Sequence, residues 1–227
     1  MAVSSSSPLE RCVRCPRLVA LRQEVHEARP DYHAAPVAAW GSKRVRMLLV
    51  GLAPGMHGAN RTGRPFTGDA SGDFLFRALH RAGFASSSQA ADARLLGIRI
   101  TNAVKCLPPE NRPVAAEIAN CAPYLSAELA ELCGERPRKA RVVLCLGRLA
   151  HDAVARTLSS AGAGGRGEGR SAVAGIPAFG HGKVTEVATN LYLLDTYHPS
   201  RQNTNTKRLT EAMLDAVLAE ARVLLEG

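Results

Sequence analysis

Residues 45–69 read VRMLLVGLAPGMHGANRTGRPFTGD, and the change of character inside this stretch decides the fold. Val45 to Val50 form a short apolar run, the pattern of a strand buried on both faces. Gly51, Pro54, Gly55, Gly58, Gly63, Pro65 and Gly68 then break the run into a loop. Glycines there let backbone approach a ligand closely and expose N–H groups to an anion. From Ser71 to Ala82 the apolar residues Phe74, Leu75, Ala78 and Leu79 return at helical spacing. Strand, Gly/Pro loop and amphipathic helix in succession make one unit of an α/β fold.

The unit recurs along the chain. A strand over Ile98–Val104 precedes a helix over Ala115–Cys133, and Val142–Leu146 runs through Gly147 into a helix reaching Thr157. Leu191–Tyr197 is a fourth strand, followed by a closing helix over Thr210–Leu225. Strands alternating with helices predict a parallel sheet covered on both faces. Residues 1–10 (MAVSSSSPLE) read as a disordered tail, 11–227 as a single domain, and the Gly-rich run at 159–171 as a flexible surface loop.

In open parallel sheets, ligands bind where loops leave the carboxyl ends of the strands. Three strands here end in unusual loops: GLAPGMHGANRTGRPFTGD, KCLPPENRP and HPSRQNTNTK. That clustering points to one site. The first loop lacks GxxxxGK[ST], and no GxGxxG stands at its exit, which argues against a nucleotide cofactor.

The 29 Lys and Arg residues against 20 Asp and Glu give a net charge of +9. A basic, Arg-rich surface attracts nucleic acid, although a high-GC genome also inflates Arg and Ala together. No apolar run reaches the roughly 18–20 residues of a membrane span, and the N-terminus lacks a secretory pattern. The expectation is a monomeric cytosolic protein with no membrane role.

Each residue of the three loops has a structural and a functional reading. Phe66, between Pro65 and Thr67–Gly68, suits stacking on a flat base or tucks under its own loop. Asp69 caps the following helix or serves the site; Asp73, one turn on, is a surface charge facing the helix dipole. Asn102, inside an apolar strand, is satisfied by backbone or reads the carbonyl and N–H edge of a base. His198 is a hydrogen-bond donor or acid, and Ser200, Arg201, Gln202 and Asn203 form a polar tip able to reach a duplex groove.

Six cysteines in a cytosolic chain argue for metal or catalysis over disulfides. Cys12 and Cys15 form a CxxC, while Cys106 and Cys121 have fourteen residues between them. Four such thiolates can hold zinc or an iron–sulfur cluster. Cys133 and Cys145 sit in apolar stretches and read as small buried hydrophobes.

The three loops with their flanks, GLAPGMHGANRTGRPFTGDASG, ITNAVKCLPPENRP and HPSRQNTNTKRLT, closely resemble the family 5 uracil-DNA glycosylases, bacterial and archaeal relatives of the family 4 enzymes. The resemblance runs from Cys12 to the last helix. It implies a three-layer α/β/α sandwich with a central, mainly parallel four-stranded sheet, and a 4Fe-4S cluster on Cys12, Cys15, Cys106 and Cys121. It implies that Phe66 stacks on uracil, Asn102 reads it, His198 stabilises the leaving base and Asp69 orients or activates water. Gly51, Gly55 and Arg201 fall in the substrate-binding motifs, and Asn111 stands where the family has a site residue.

The implied activity is base excision from double- or single-stranded DNA in the bacterial cytosol, leaving an abasic site as the first step of base excision repair. Related families carry an acidic or amide residue just after the first glycine of the opening motif. Here, as in family 5, Leu52 and Ala53 stand there instead, so the resemblance leaves water activation to Asp69. The missing acid predicts breadth, with hypoxanthine and ethenocytosine excised beside uracil. Two rivals remain at this stage: a non-catalytic iron–sulfur DNA-binding protein of the same fold, and a zinc-stabilised nucleotide hydrolase.

Overall fold

A computed structural model describes residues 9–134, 139–163 and 175–227. The helices are α1 (Pro16–Ala28), α2 (Ala59–Thr62), α3 (Ala70–Arg81), α4 (Ala115–Cys133), α5 (Arg148–Ala163), α6 (Arg201–Asn205) and α7 (Glu211–Glu226). The strands are β1 (Trp40–Gly41), β2 (Met47–Gly51), β3 (Ile98–Asn102), β4 (Arg141–Leu146), β5 (Val184–Ala188) and β6 (Leu191–Thr196).

They form one sheet in the order β1-β3-β2-β4-β6-β5. The four inner strands are the four expected, and each neighbouring pair among them is parallel. The expected count of four is corrected to six by two antiparallel edge strands, β1 on β3 and β5 on β6. Both escape periodicity for physical reasons. β1 is two residues long, and β5 has only Val187 buried, so neither carries the apolar run of an inner strand.

The inner strands are apolar throughout because helices cover both faces. Met47, Leu49, Ile98, Ile100, Val142, Leu144 and Leu194 face one side and pack on Leu75, Phe76 and Leu79 of α3 and Leu214, Val217 and Leu218 of α7. Leu48, Val50, Val143, Cys145 and Leu193 face the other, against Leu125 and Leu129 of α4 and Ala153, Val154 and Leu158 of α5. The alternation along each strand makes the three layers. Cys145 is a fully buried core residue, as expected, while Cys133 is only half-buried.

Helix α5 runs to Ala163, so the expected loop at 159–171 is corrected at its start: Ser159–Ala163 are helical. Residues 164–171 of that run, and residues 1–8 of the expected tail, lie outside the described residues. Helix α1 was not legible as an amphipathic helix, since only Leu18 and Val25 of its thirteen residues are buried. It is held in place by polar contacts instead. Arg17 pairs bidentately with the buried Glu117 of α4, at 2.7 and 2.8 Å, and also bonds the Arg112 carbonyl.

The loop after β3 has its own buried anchor. The Lys105 ammonium is fully buried, with both Glu128 oxygens of α4 at 2.8 Å and Thr101 as a further acceptor. Removing one partner of such a pair costs about 3–5 kcal/mol where the charge left behind is fully buried, as Lys105 is; Glu128 left behind is 14% exposed and regains water, so loss of the cation costs less. Glu128→Gln is therefore expected to lower unfolding free energy by about 3 kcal/mol in urea titrations, and Lys105→Met by less. Equal stability of Glu128→Gln and wild type contradicts this.

Candidate active site and cysteine centre

Parallel registry brings the three loops to one end of the sheet. Gly51 ends β2 directly opposite Asn102 at the end of β3, and the next strands out end at Leu146 and Thr196. A Cβ on Gly51 would lie 2.5 Å from Asn102 Oδ1 and 2.6 Å from the Phe66 ring. Only glycine lets the amide and the ring close over the strand end. Phe66 is buried at a left-handed φ of 55°, a strained backbone state for an aromatic residue. Its ring tilts onto His198, with centroids 5.7 Å apart. Phe66 therefore packs on the other site residues, not merely under its own loop.

Asn102 is buried, and its Oδ1 has no hydrogen-bond partner among the described residues. A buried unpaired acceptor costs about 1–3 kcal/mol unless a ligand satisfies it. Neighbouring backbone leaves that oxygen unsatisfied, so the reading as an edge reader is the one the geometry favours. Asn60, in the same loop as Phe66, is also fully buried, with neither amide atom hydrogen-bonded among the described residues.

Asp69 is the cap of α3, and its second oxygen is left over for the site. Oδ1 accepts from the Gly72 N–H at 3.0 Å and caps α3. Oδ2 turns the other way and rests on Gly58, where a Cβ would sit 2.0 Å from it, and near Gly55. The cap fixes the carboxylate, and the two glycines give its free oxygen room.

His198 follows β6 and packs against Gly147 at the end of β4, where a Cβ would come within 3.1 Å of His198 Cβ. Pro199 and Asn203 hold its backbone; Asn203 Nδ2 donates to the His198 carbonyl at 2.8 Å. Burial lowers the His198 pKa to about 4, with the nearby Asp69 carboxylate opposing the shift. At neutral pH the ring is uncharged, which makes it a hydrogen-bond donor and not an acid. Asn203, expected in a groove-reaching polar tip, instead turns back onto the His198 carbonyl, and the supporting role of Gly147 was not expected. A glycine between strand and helix at Gly147 was the available signal.

The remaining expected residues do not join this cluster. Asn111 is exposed on a short 3-10 turn at φ 57°, and its side chain makes no hydrogen bond among the described residues. Arg201 is exposed at the first turn of α6, at the rim. A groove elsewhere, between α4 and α5, is lined by Ile118, Ala119, Pro123, Ala153 and Arg156, and none of the site residues lines it.

Cys12, Cys15, Cys106 and Cys121 line one pocket, closed by Leu18, Val19 and Asn120. Burial pushes the Cys106 thiol up to about 12, with Arg22 opposing and the neighbouring cysteines adding to the rise. Four converging thiols, of which Cys106 and Cys121 are buried where a bare thiolate is costly, fit a group that supplies positive charge. A second donor group, Cys145, His151 and Asp195, has its ligand atoms within 4.8 Å of one another. There the carboxylate already accepts from His151 at 2.8 Å and from the Gly180 N–H, which accounts for it as a hydrogen-bonded core network.

An α/β/α sheet with an aromatic ring, an amide, a neutral histidine and a carboxylate at its carboxyl edge defines a binding site for a flat, polar-edged ligand. The sequence model of the uracil DNA glycosylase superfamily matches residues 38–222, and the chain belongs to that superfamily. A type-5 uracil-DNA glycosylase of Mycobacterium bovis is 46% identical over 94% of this chain and 78% of its own length. One from Thermus thermophilus is 43% identical over 95% of this chain and 94% of its own. A type-4 uracil-DNA glycosylase of Pyrobaculum aerophilum is 31% identical over 85% and 79%.

Because the half-buried His198, covered by Phe66, stays neutral, acid must charge it before or during unfolding. Its unfolded form binds a proton near pH 6.5 and its folded form only near pH 4, so stability is full above 6.5 and falls as pH drops toward 4. The loss attributable to this group is about 3 kcal/mol. His198→Asn is expected to flatten the stability profile between these pH values by that amount; an unchanged slope contradicts the neutral, desolvated ring.

Proposed function

We propose that the chain excises uracil from DNA by hydrolysing the N-glycosidic bond, leaving an abasic site. The observation that carries the reading is the convergence of Phe66, Asn102, His198 and Asp69 at one strand edge in a member of this superfamily. A flipped base stacks on Phe66, and the free Asn102 Oδ1 accepts its N3–H while the amide nitrogen faces O4. As the C1′–N1 bond breaks, its electron pair passes to the base, and a ring N–H of neutral His198 stabilises the resulting anion. Water adds to the sugar cation from the side of Asp69, which positions it and receives its proton. A non-catalytic binder has no need of these four groups together.

The four-cysteine centre is read as a 4Fe-4S site on Cys12, Cys15, Cys106 and Cys121. Its cluster supplies a structural cross-link between the N-terminal segment and the loop after β3. The net charge of +9 supports contact with the DNA backbone, with Arg201 at the rim of the site. Double- and single-stranded DNA are both accommodated by a flipping mechanism, and the enzyme acts as a monomer in the cytosol.

Leu52 and Ala53 give the first strand end no carboxylate of its own, so bond breaking leads and the site demands less of the base. The chain is therefore expected to release hypoxanthine and ethenocytosine as well as uracil from matched oligonucleotides. Strict selectivity for uracil contradicts this breadth. Asp69→Asn is expected to retain DNA binding and lower single-turnover excision by about tenfold or more. Turnover within about twofold of wild type leaves Asp69 a helix cap alone.

A further inference from the structure

The sulfurs of the cysteine centre do not stand alone. Cys121 Sγ accepts the Lys105 backbone N–H at 3.5 Å, and Cys15 Sγ accepts Asn120 Nδ2 at 3.6 Å. Cys106 Sγ accepts Arg22 Nη1 at 3.8 Å. The Tyr124 hydroxyl, buried without a hydrogen-bond partner among the described residues, lies beside Cys12. Cys15, Cys106 and Cys121 thus each accept a hydrogen bond, and a fourth donor group, the Tyr124 hydroxyl, stands beside Cys12; the four come from α1, α4 and the loop after β3.

Arg22 differs from the other three donors. It is half-buried, and its second nitrogen donates to the Cys12 carbonyl at 3.1 Å, which ties the CxxC to Cys106. Among the described residues it forms no ion pair, whereas Arg17 one turn earlier is matched by Glu117. A guanidinium whose charge is not spent on a carboxylate acts on the thiolates it touches. Four thiolates around a cluster leave a net negative group in a partly apolar pocket, and such a group needs a nearby cation.

We propose that Arg22 is a positioning residue of the cysteine centre: it holds Cys106 and the CxxC in ligating geometry and offsets the charge of the occupied site. The inference rests on the 4Fe-4S reading. Partners of this kind around metal ligands are worth about 10- to 100-fold in retention of the metal. Removing the cation also disfavours the reduced, more negative cluster, so the reduction potential falls. A role confined to folding does not move the potential.

The test uses the full chain purified with its metal: wild type, R22Q, R22K and N120A. Iron content, bleaching of visible absorbance under a chelator, and the cluster midpoint potential are read for each. The inference predicts iron-bearing brown wild type, bleaching about tenfold faster in R22Q, and a potential shifted to more negative values. R22K, which keeps the charge, is expected to recover the potential but only part of the retention. N120A, which lacks one neutral donor, bleaches faster than wild type without the larger fall in potential. Should R22Q not fold, R22K bleaching as slowly as wild type overturns the inference. R22Q with wild-type bleaching and potential overturns it while leaving the cluster intact. Colourless, zinc-bearing wild type overturns the cluster reading and the inference together.

Discussion

Gly51 ends β2 across from Asn102, and the volume of its missing side chain is taken by the Asn102 oxygen and the edge of Phe66. Much of the site depends on that approach. Phe66 can lean over the strand only by adopting a left-handed backbone, and the loop that holds it there ends at Asp69, whose cap fixes α3. Its ring in turn packs against His198, which the chain delivers from the far side of the sheet past a second glycine, Gly147. Two missing side chains, on neighbouring strands, therefore let three loops meet.

The electrostatic character of the site follows from the same packing. Closing Phe66 over His198 removes water from the imidazole, and the ring loses its proton at physiological pH even with Asp69 close by. A charged ring would attract an anionic leaving group more strongly but would also attract the nearby Asp69 carboxylate. A neutral ring leaves the carboxylate uncommitted. Asp69 keeps one oxygen on the helix terminus and one over Gly58, which suits ordering water more than strong base catalysis.

The inner strands and their helices were legible because sheets covered on both faces demand continuous apolar runs, and Met47–Val50 and Val142–Leu146 supply them. The site was legible as a place, since loops at the carboxyl ends of parallel strands must converge. What escaped had no such pattern. Helix α1 is anchored by the Arg17–Glu117 pair, a contact between residues a hundred positions apart that no local periodicity records. β5 has one buried residue, and Gly147 shows its role only once His198 is placed against it. The shared pocket of the four cysteines likewise required the fold, because their spacing alone left zinc and iron–sulfur open. Asn111 shows the reverse case: a motif position that the structure leaves exposed on a turn.

The central claim is that this strand edge breaks a glycosidic bond and leaves the DNA backbone whole. Incubating the purified chain with an end-labelled duplex carrying a single uracil, with and without a later alkali step, tests it directly. The account predicts strand breaks at the uracil only after alkali, together with release of free uracil. Intact DNA in both arms, with the duplex still bound, contradicts it.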